Sequence, residues 1–254
     1  MMTQNLYTGK EWLDQLLPQG IPLPSSTLIS GPGGTGKPLV EFAFVAAWLK
    51  AGGSVIGIPL QYPTGELVKT AMFKLYGMDL NDYRGRVIYV QLDPLIQGIE
   101  TVSDDTLKAN LVKPGIWSRT IERAEAMLKS DDSKNNMVFG SALNLLLFSD
   151  VHKERLLSDL KDMLQNDKSR SYFFAVSTSA LAGEIKELED VADNLMFTRM
   201  EEGMKLYFRI ERMKNTDFLK DEVNVPISED MLVEISKVAE ASRKRLIKEI
   251  KNVA

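Results

Sequence analysis

The sequence predicts an α/β domain built on a mainly parallel central sheet, with helices on both faces, antiparallel C-terminal strands and a C-terminal helix. Short β-prone runs alternate with longer apolar runs, which is the order of parallel strands joined by crossover helices. A glycine-rich loop, residues 29–38, joins the first of these strands to the first long helix. Two further β-prone runs flank Glu202 and Gly203, which is a hairpin signal.

The elements follow from the spacing of apolar residues and from turn residues. Strands are predicted at residues 26–30, 55–58, 87–90, 136–140 and 172–176, and the hairpin at 195–199 and 205–210. Helices are predicted at residues 39–50, 63–76, 117–128, 153–164 and 230–251. The polar, acidic stretch 92–115 is predicted to be a loop or surface insertion. We divide the chain into a lead-in and connector (1–26), a core domain (27–220) and a linker with the C-terminal helix (221–254).

Composition excludes several classes of protein. The chain has 254 residues, 44% hydrophobic and 26% charged, which suits a soluble globular protein with a sizeable core. It has no Cys and one His, so disulfides, thiolate sites and multi-His sites are excluded. It shows no signal peptide and no apolar run long enough to cross a bilayer, which predicts a cytoplasmic protein without a membrane partner. The net charge of −4 makes nucleic acid an unexpected partner.

The glycine-rich loop matches the phosphate-binding pattern, Gly, four residues, Gly-Lys and then Ser or Thr, up to its last position. Its glycines allow backbone N–H groups to face a phosphate, its lysine supplies a mobile charge, and the next helix points its positive end at the same anion. The hydroxyl that would hold Mg²⁺ is replaced by a proline, which also lacks an amide hydrogen. The predicted nucleotide-binding residues are Gly33, Gly34, Thr35, Gly36, Lys37 and Pro38. The alternative is a glycine-rich turn in which Pro38 merely starts a helix.

Six segments together resemble the RecA-like ATPases of the KaiC group, which includes archaeal proteins, over residues 8–218. They occur in the family's order, and no single one is diagnostic. They are Thr8-Gly9 with LDQLL (13–17), the loop 29–37 as Walker A, IPLQYP (58–63), VFGS (138–141), DNL (193–195) and ERMKNT (211–216).

The resemblance implies an ATPase fold, but this chain departs from it at the catalytic positions. In the family the metal is held by the Walker A hydroxyl and the Walker B Asp, where this chain has Pro38 and Gly140. The catalytic Glu position is Gln61, whose amide cannot take a proton at neutral pH. We therefore expect no catalytic residue at these positions, no metal ligand set of the usual kind, and weak or absent binding of ATP or ADP.

This pattern predicts a catalytically inactive KaiC/RecA-like protein that acts as a regulatory or scaffold subunit by associating with itself or with KaiC/RecA-like paralogues. One alternative is an active ATPase with unorthodox metal ligands. Asp150 would be a stand-in for the Walker B residue, although we favour a helix cap there. A second alternative is a nucleic-acid-binding recombinase paralogue. The basic residues from Arg243 to Lys251 fit the charged C-terminal end of a helix better than they fit a nucleic-acid-binding surface.

The resemblance also places two basic residues near a neighbouring subunit's nucleotide. These are Arg212 and Lys214, just after the second predicted hairpin strand. The other interpretation is an ordinary solvated strand end.

Overall fold

The computed structural model describes residues 4–62, 65–129 and 136–252. The strands up to the middle of the chain are β1 (Gln4–Leu6), β2 (Ile21–Leu23), β3 (Ser26–Ser30), β4 (Ser54–Gly57), β5 (Val87–Leu92), β6 (Ile99–Ser103) and β7 (Thr106–Ala109). The later strands are β8 (Asn136–Ser141), β9 (Ser171–Ala175), β10 (Asn194–Glu201), β11 (Lys205–Arg212) and β12 (Glu222–Asn224). The α-helices are α1 (Glu11–Asp14), α2 (Lys37–Lys50), α3 (Glu66–Tyr76), α4 (Ile116–Met127), α5 (Lys153–Asn166), α6 (Ala182–Val191) and α7 (Glu229–Asn252).

Within these ranges, the strands from β3 onward form a ten-stranded sheet in the order β12-β11-β10-β3-β9-β8-β4-β5-β7-β6. Every pair from β10 across to β7 is parallel. The pairs of β11 with β10 and β12, and of β6 with β7, are antiparallel. The predicted mainly parallel sheet with antiparallel C-terminal strands is confirmed.

Helices cover both faces of this sheet, as predicted. Alternate residues of each strand point to opposite faces, so Val55 and Val87 join one apolar cluster while Ile56 and Ile88 join the other. The first cluster includes α2 and α3, and the second includes α4, α5 and α6. Every residue of α2 from Lys37 to Leu49 is buried, because this helix lies between the sheet and α3.

The prediction of a loop at residues 92–115 is wrong. This stretch contains β6 and β7, and β7 extends the parallel sheet beside β5. Only Leu107 and Ala109 of these two strands are fully buried, while β6 is mostly exposed. Short strands with one solvated face carry too few apolar residues to stand out in the sequence.

Other elements lack a strong local signal and were not predicted. They are β1, β2, β12 and α6. Strand β12 lies in the segment interpreted as a linker and pairs with β11. Helix α3 begins at Glu66, and the first two residues of the predicted helix, 63 and 64, lie outside the described residues.

The C-terminal helix α7 extends over both apolar clusters. Its first turns place Met231 and Leu232 in the first cluster, and its last turns place Leu246 and Ile250 in the second. Helix α7 therefore packs against the apolar clusters on both faces of the sheet. In the described part of the chain, no helix combines the length and apolar character needed to span a membrane.

Candidate phosphate-binding site at the carboxyl edge of the sheet

A cavity of about 380 Å³ lies where β3, β4, β8 and β9 end. Its walls include the whole predicted phosphate loop from Gly33 to Pro38, with Gln61 after β4 and Ser177 after β9. The carboxyl edge of parallel strands is where α/β folds bind ligands, and the volume is within the usual range of ligand pockets. The structure thus brings the six predicted loop residues and Gln61 into one site.

The loop is fixed against both neighbouring strands. Gly31 has φ 137°, and a Cβ there would lie 2.2 Å from the carbonyl oxygen of Thr198 on β10, so only glycine fits. The hydroxyls of Thr35 and Thr198 are hydrogen-bonded at 2.7 Å. On the other side, the amide of Gly33 donates to Ser179 Oγ at 2.8 Å. The loop is therefore held in shape by Thr198 on β10 and by Ser179 in the segment after β9.

Lys37 points back into its own loop. Its Nζ donates to the carbonyl of Gly31 at 2.9 Å, to that of Pro32 and to Thr35 Oγ1 at 3.2 Å. Burial lowers the pKa of the lysine to about 7. To reach a phosphate, the ammonium must exchange these acceptors for the anion. Its charge at neutral pH is also reduced until an anion stabilises it.

Pro38 is the second residue of α2, is buried and lines the cavity. The structure places it where the sequence predicts, one residue after Lys37 at the helix N-terminus. It offers neither a hydroxyl oxygen for a cation nor an N–H for a phosphate. Among the described residues, no group of three or more His, Asp or Glu side chains stands ready to hold a metal. The residues present therefore suit an anion but do not suit the usual Mg²⁺ site.

Gly140, which the resemblance assigns to the Walker B position, has no room for a side chain. A Cβ added to Gly140 would lie 2.5 Å from the carbonyl oxygen of Ile58, closer than real Cβ contacts come. The close approach arises where β8 and β4 run together, with the amide of Ile58 donating to Phe139 O at 2.7 Å. The backbone of Ile58 therefore occupies the space that the side chain of an aspartate at position 140 would need.

A carboxyl group that the sequence analysis did not consider lies against this position. Glu41 on α2 is fully buried, and its Oε1 accepts a hydrogen bond from the amide of Gly140 at 2.9 Å. Its other oxygen has no hydrogen-bond partner among the described residues. Burial raises the pKa of Glu41 well above its ordinary value, which favours the neutral acid. Its signal in the sequence is that it alone is charged between Pro38 and Leu49.

Replacing Glu41 with glutamine is expected to remove a pH dependence of stability. The folded-state pKa is raised, so the stability that the protonated Glu41 contributes is present below its unfolded value of about 4.5 and is lost as pH rises through the folded value. Over that window the unmodified protein should lose about 1.4 kcal/mol per pH unit relative to Glu41→Gln. Urea unfolding of both proteins between pH 4.5 and 8 measures this difference. Parallel stability curves would show that Glu41 stays ionised.

Gln61 and Tyr62, which the resemblance assigns to the family's acidic positions, supply no carboxylate. Gln61 lines the cavity, and its Nε2 donates to the hydroxyl of Tyr62 at 3.2 Å. Tyr62 is buried, and burial raises the pKa of its hydroxyl. Neither side chain takes a proton from water at neutral pH.

Arg212 and Lys214 do not line the cavity, and their polar groups have partners in the chain itself. Arg212 Nη2 donates to two backbone carbonyls near the end of α6, those of Glu189 and Ala192. The distance to the carbonyl oxygen of Ala192 is 2.8 Å. Lys214 Nζ pairs with Asp193 Oδ1 at 2.7 Å. A role toward a neighbouring subunit's phosphate remains a prediction, and it requires these contacts to be exchanged.

The interpretation of Asp150 as a helix cap is wrong. Asp150 is exposed, and the first residue before α5 is His152. The amide of His152 is bonded at 3.1 Å to Ser149 Oγ, which is buried. The hydroxyl oxygen of Ser149 thus accepts the amide hydrogen bond that was expected of the Asp150 carboxylate.

The fold and the loop together define the class of protein. A glycine-rich phosphate loop between the buried strand β3 and helix α2, in a mainly parallel sheet extended by a hairpin, is the arrangement of RecA-like P-loop proteins. A family model described as "ATPase: KaiC" matches residues 6–240, and the chain therefore belongs to the KaiC family of ATPases.

A solved structure shows the same fold. It is that of a KaiC-like protein from the hyperthermophilic archaeon Pyrococcus horikoshii OT3, with a TM-score of 0.64 and 16% identity. The match covers 89% of this chain and 96% of that one. No curated protein matches the chain. The resemblance to RecA-like KaiC proteins is thus confirmed at the level of family and fold.

Proposed function

We propose that this protein is a KaiC-family member that does not hydrolyse ATP, binds nucleotide weakly, and acts as a regulatory or scaffold subunit. It would associate with copies of itself or with active paralogues. The observation that carries the proposal is the contact between Gly140 and the Ile58 carbonyl. Hydrolysis needs a metal held at the phosphates and a group that orients the attacking water. The contact removes the space for one metal ligand, while Pro38 and Gln61 stand at two further positions of the same machinery.

One residue supports the alternative of an active ATPase with unorthodox metal ligands. Glu41 brings a carboxyl group to the backbone of Gly140, close to where the missing aspartate would be. However, it is fully buried, does not line the cavity and has a raised pKa. A neutral, enclosed acid is a poor ligand for Mg²⁺, so we favour the inactive protein.

Association is proposed on the strength of family membership and of the extended sheet. Strand β12 pairs with β11 over Tyr207, Phe208 and Arg209, so this part of the hairpin edge is already covered. Contacts through β10 and β11 would then use side chains rather than addition of a further strand. Two basic residues of α7 are paired along the helix, Lys244 with Glu240 at 2.7 Å and Arg245 with Glu249 at 3.7 Å. These pairs give little support to a nucleic-acid surface.

ATP turnover is expected to lie at least about 10²-fold below the usual enzyme range of about 1–10³ s⁻¹. The physical reason is that the metal ligands and the carboxylate act as one unit, so the remaining parts cannot compensate. A steady-state phosphate-release assay with Mg²⁺ measures this, with Lys37→Ala as control. Both proteins should give the same background. Turnover in the usual range that Lys37→Ala abolishes would refute the proposal.

The scaffold role has a separate measurement. Sedimentation of the purified chain, alone and mixed with an active KaiC-family protein, is expected to show a species larger than the monomer. A protein that stays monomeric at high micromolar concentration and does not bind the KaiC-family protein would contradict this part of the proposal.

A further inference from the structure

Helix α7 forms one wall of the phosphate-loop cavity. Five of its residues line the cavity, namely Leu232, Ser236, Ala239, Glu240 and Arg243. A Cβ on Gly36 would lie 2.8 Å from Leu232 Cδ2, so the first half of α7 touches the start of α2. The C-terminal helix thus covers the loop of its own chain.

Polar atoms converge beside Gly33, at the outer side of this cavity. A Cβ built on Gly33 would lie 3.3 Å from Ser179 Oγ, 3.4 Å from Ser177 Oγ and 3.5 Å from Arg243 Nη1. The hydroxyl of Ser179 already accepts the Gly33 amide, and that of Ser177 accepts the Ser179 amide at 3.4 Å. Each hydroxyl therefore keeps its own hydrogen for another acceptor. Two hydroxyl donors and a guanidinium surround one small space.

Arg243 is the available cation at this point. It is half-buried, and it makes no hydrogen bond or ion pair with any described residue. Its charge acts on the nearby carboxyl of Glu240, helping to lower the pKa of that group, but Glu240 is bonded to Lys244. An arginine side chain keeps its charge at physiological pH and binds phosphate oxygens in a fork. Lys37, by contrast, is directed at its own loop carbonyls.

We propose that Arg243, carried over the loop by α7 of the same chain, takes the place of Mg²⁺ and binds the polyphosphate of a nucleoside di- or triphosphate without metal. This inference rests on the proposed nucleotide binding and names the groups that perform it. The Ser177 and Ser179 hydroxyls and Lys37, once turned outward, would complete the anion site. The apolar side chains of Val176, Leu232 and Ala239 line other parts of the cavity and suit the organic part of a nucleotide.

Calorimetric titration of the full chain with ADP, ATP and pyrophosphate in EDTA tests the inference. The unmodified protein should bind ADP and ATP with the same affinity in EDTA and in Mg²⁺. It should bind both nucleotides more tightly than it binds pyrophosphate. Arg243→Gln is expected to weaken nucleotide binding about 10- to 100-fold, the effect of losing a hydrogen bond to a charged group. Lys244→Gln removes the same charge one residue away and should change affinity less than about twofold. Arg243→Lys keeps the charge without the fork and should lie between the two.

Equal affinities for the unmodified protein and a folded Arg243→Gln variant would overturn the inference, as would binding that appears only with Mg²⁺. Thermal unfolding of each variant shows whether it is folded, and Arg243→Lys carries the test if the glutamine variant is not. The proposed function fails in a different assay, the turnover measurement. An inactive protein that binds nucleotide independently of Arg243 would therefore reject this inference alone.

Discussion

Replacing Gly140 with aspartate, which restores the family's Walker B residue, is expected to destabilise the protein by about 3–5 kcal/mol. Two effects add. The new Cβ would lie 2.5 Å from the Ile58 carbonyl oxygen, and the new carboxylate would be placed at a buried position. A buried carboxylate without a charged partner is strongly unfavourable. Denaturant unfolding at neutral pH measures the loss.

Gly140→Ala is the matched control, because it adds the Cβ without the charge. Overpacking alone costs about 1–3 kcal/mol, so the alanine variant should lie between the other two proteins. An aspartate variant as stable as the unmodified protein would show that β4 and β8 separate easily. Position 140 would then lack only the aspartate side chain and not the space for it, and the main support for an inactive protein would be gone.

Pro38→Thr is expected to tighten ATP binding by about one to two decades and to make it depend on Mg²⁺, without giving hydrolysis. The substitution restores an N–H that donates to phosphate and a hydroxyl that binds the metal. A hydrogen bond to a charged group is worth about 1.5–3 kcal/mol, which sets the size of the gain. Hydrolysis should stay absent because Gln61 and Gly140 are unchanged.

Pro38→Ala separates the two contributions, since it restores the N–H but not the hydroxyl. It should tighten binding without creating Mg²⁺ dependence. Calorimetric titrations of the three proteins with ATP, with and without Mg²⁺, give the comparison. Tight, Mg²⁺-dependent binding by the unmodified protein would show that another residue supplies the metal site.

The sequence by itself determined the order of the main strands and helices and the phosphate loop. These have local signals: apolar spacing, glycines that permit a tight loop, and the lysine that follows them. It also shows Pro38, Gln61 and Gly140 at the positions that the resemblance assigns to metal ligands or a catalytic residue. Strands β6 and β7, at one end of the sheet, escaped prediction because much of each strand faces water.

Only the tertiary structure decided what surrounds these positions. The carbonyl of Ile58 closes the space at Gly140, Glu41 bonds the Gly140 amide, and α7 brings Arg243 over Gly33. Each contact joins residues that lie far apart in the chain, the last pair by most of its length. Such contacts depend on how strands align and on where a helix lies across the sheet, for which a sequence carries no local signal. The buried acid and the cation facing the loop therefore emerge only when the chain is folded.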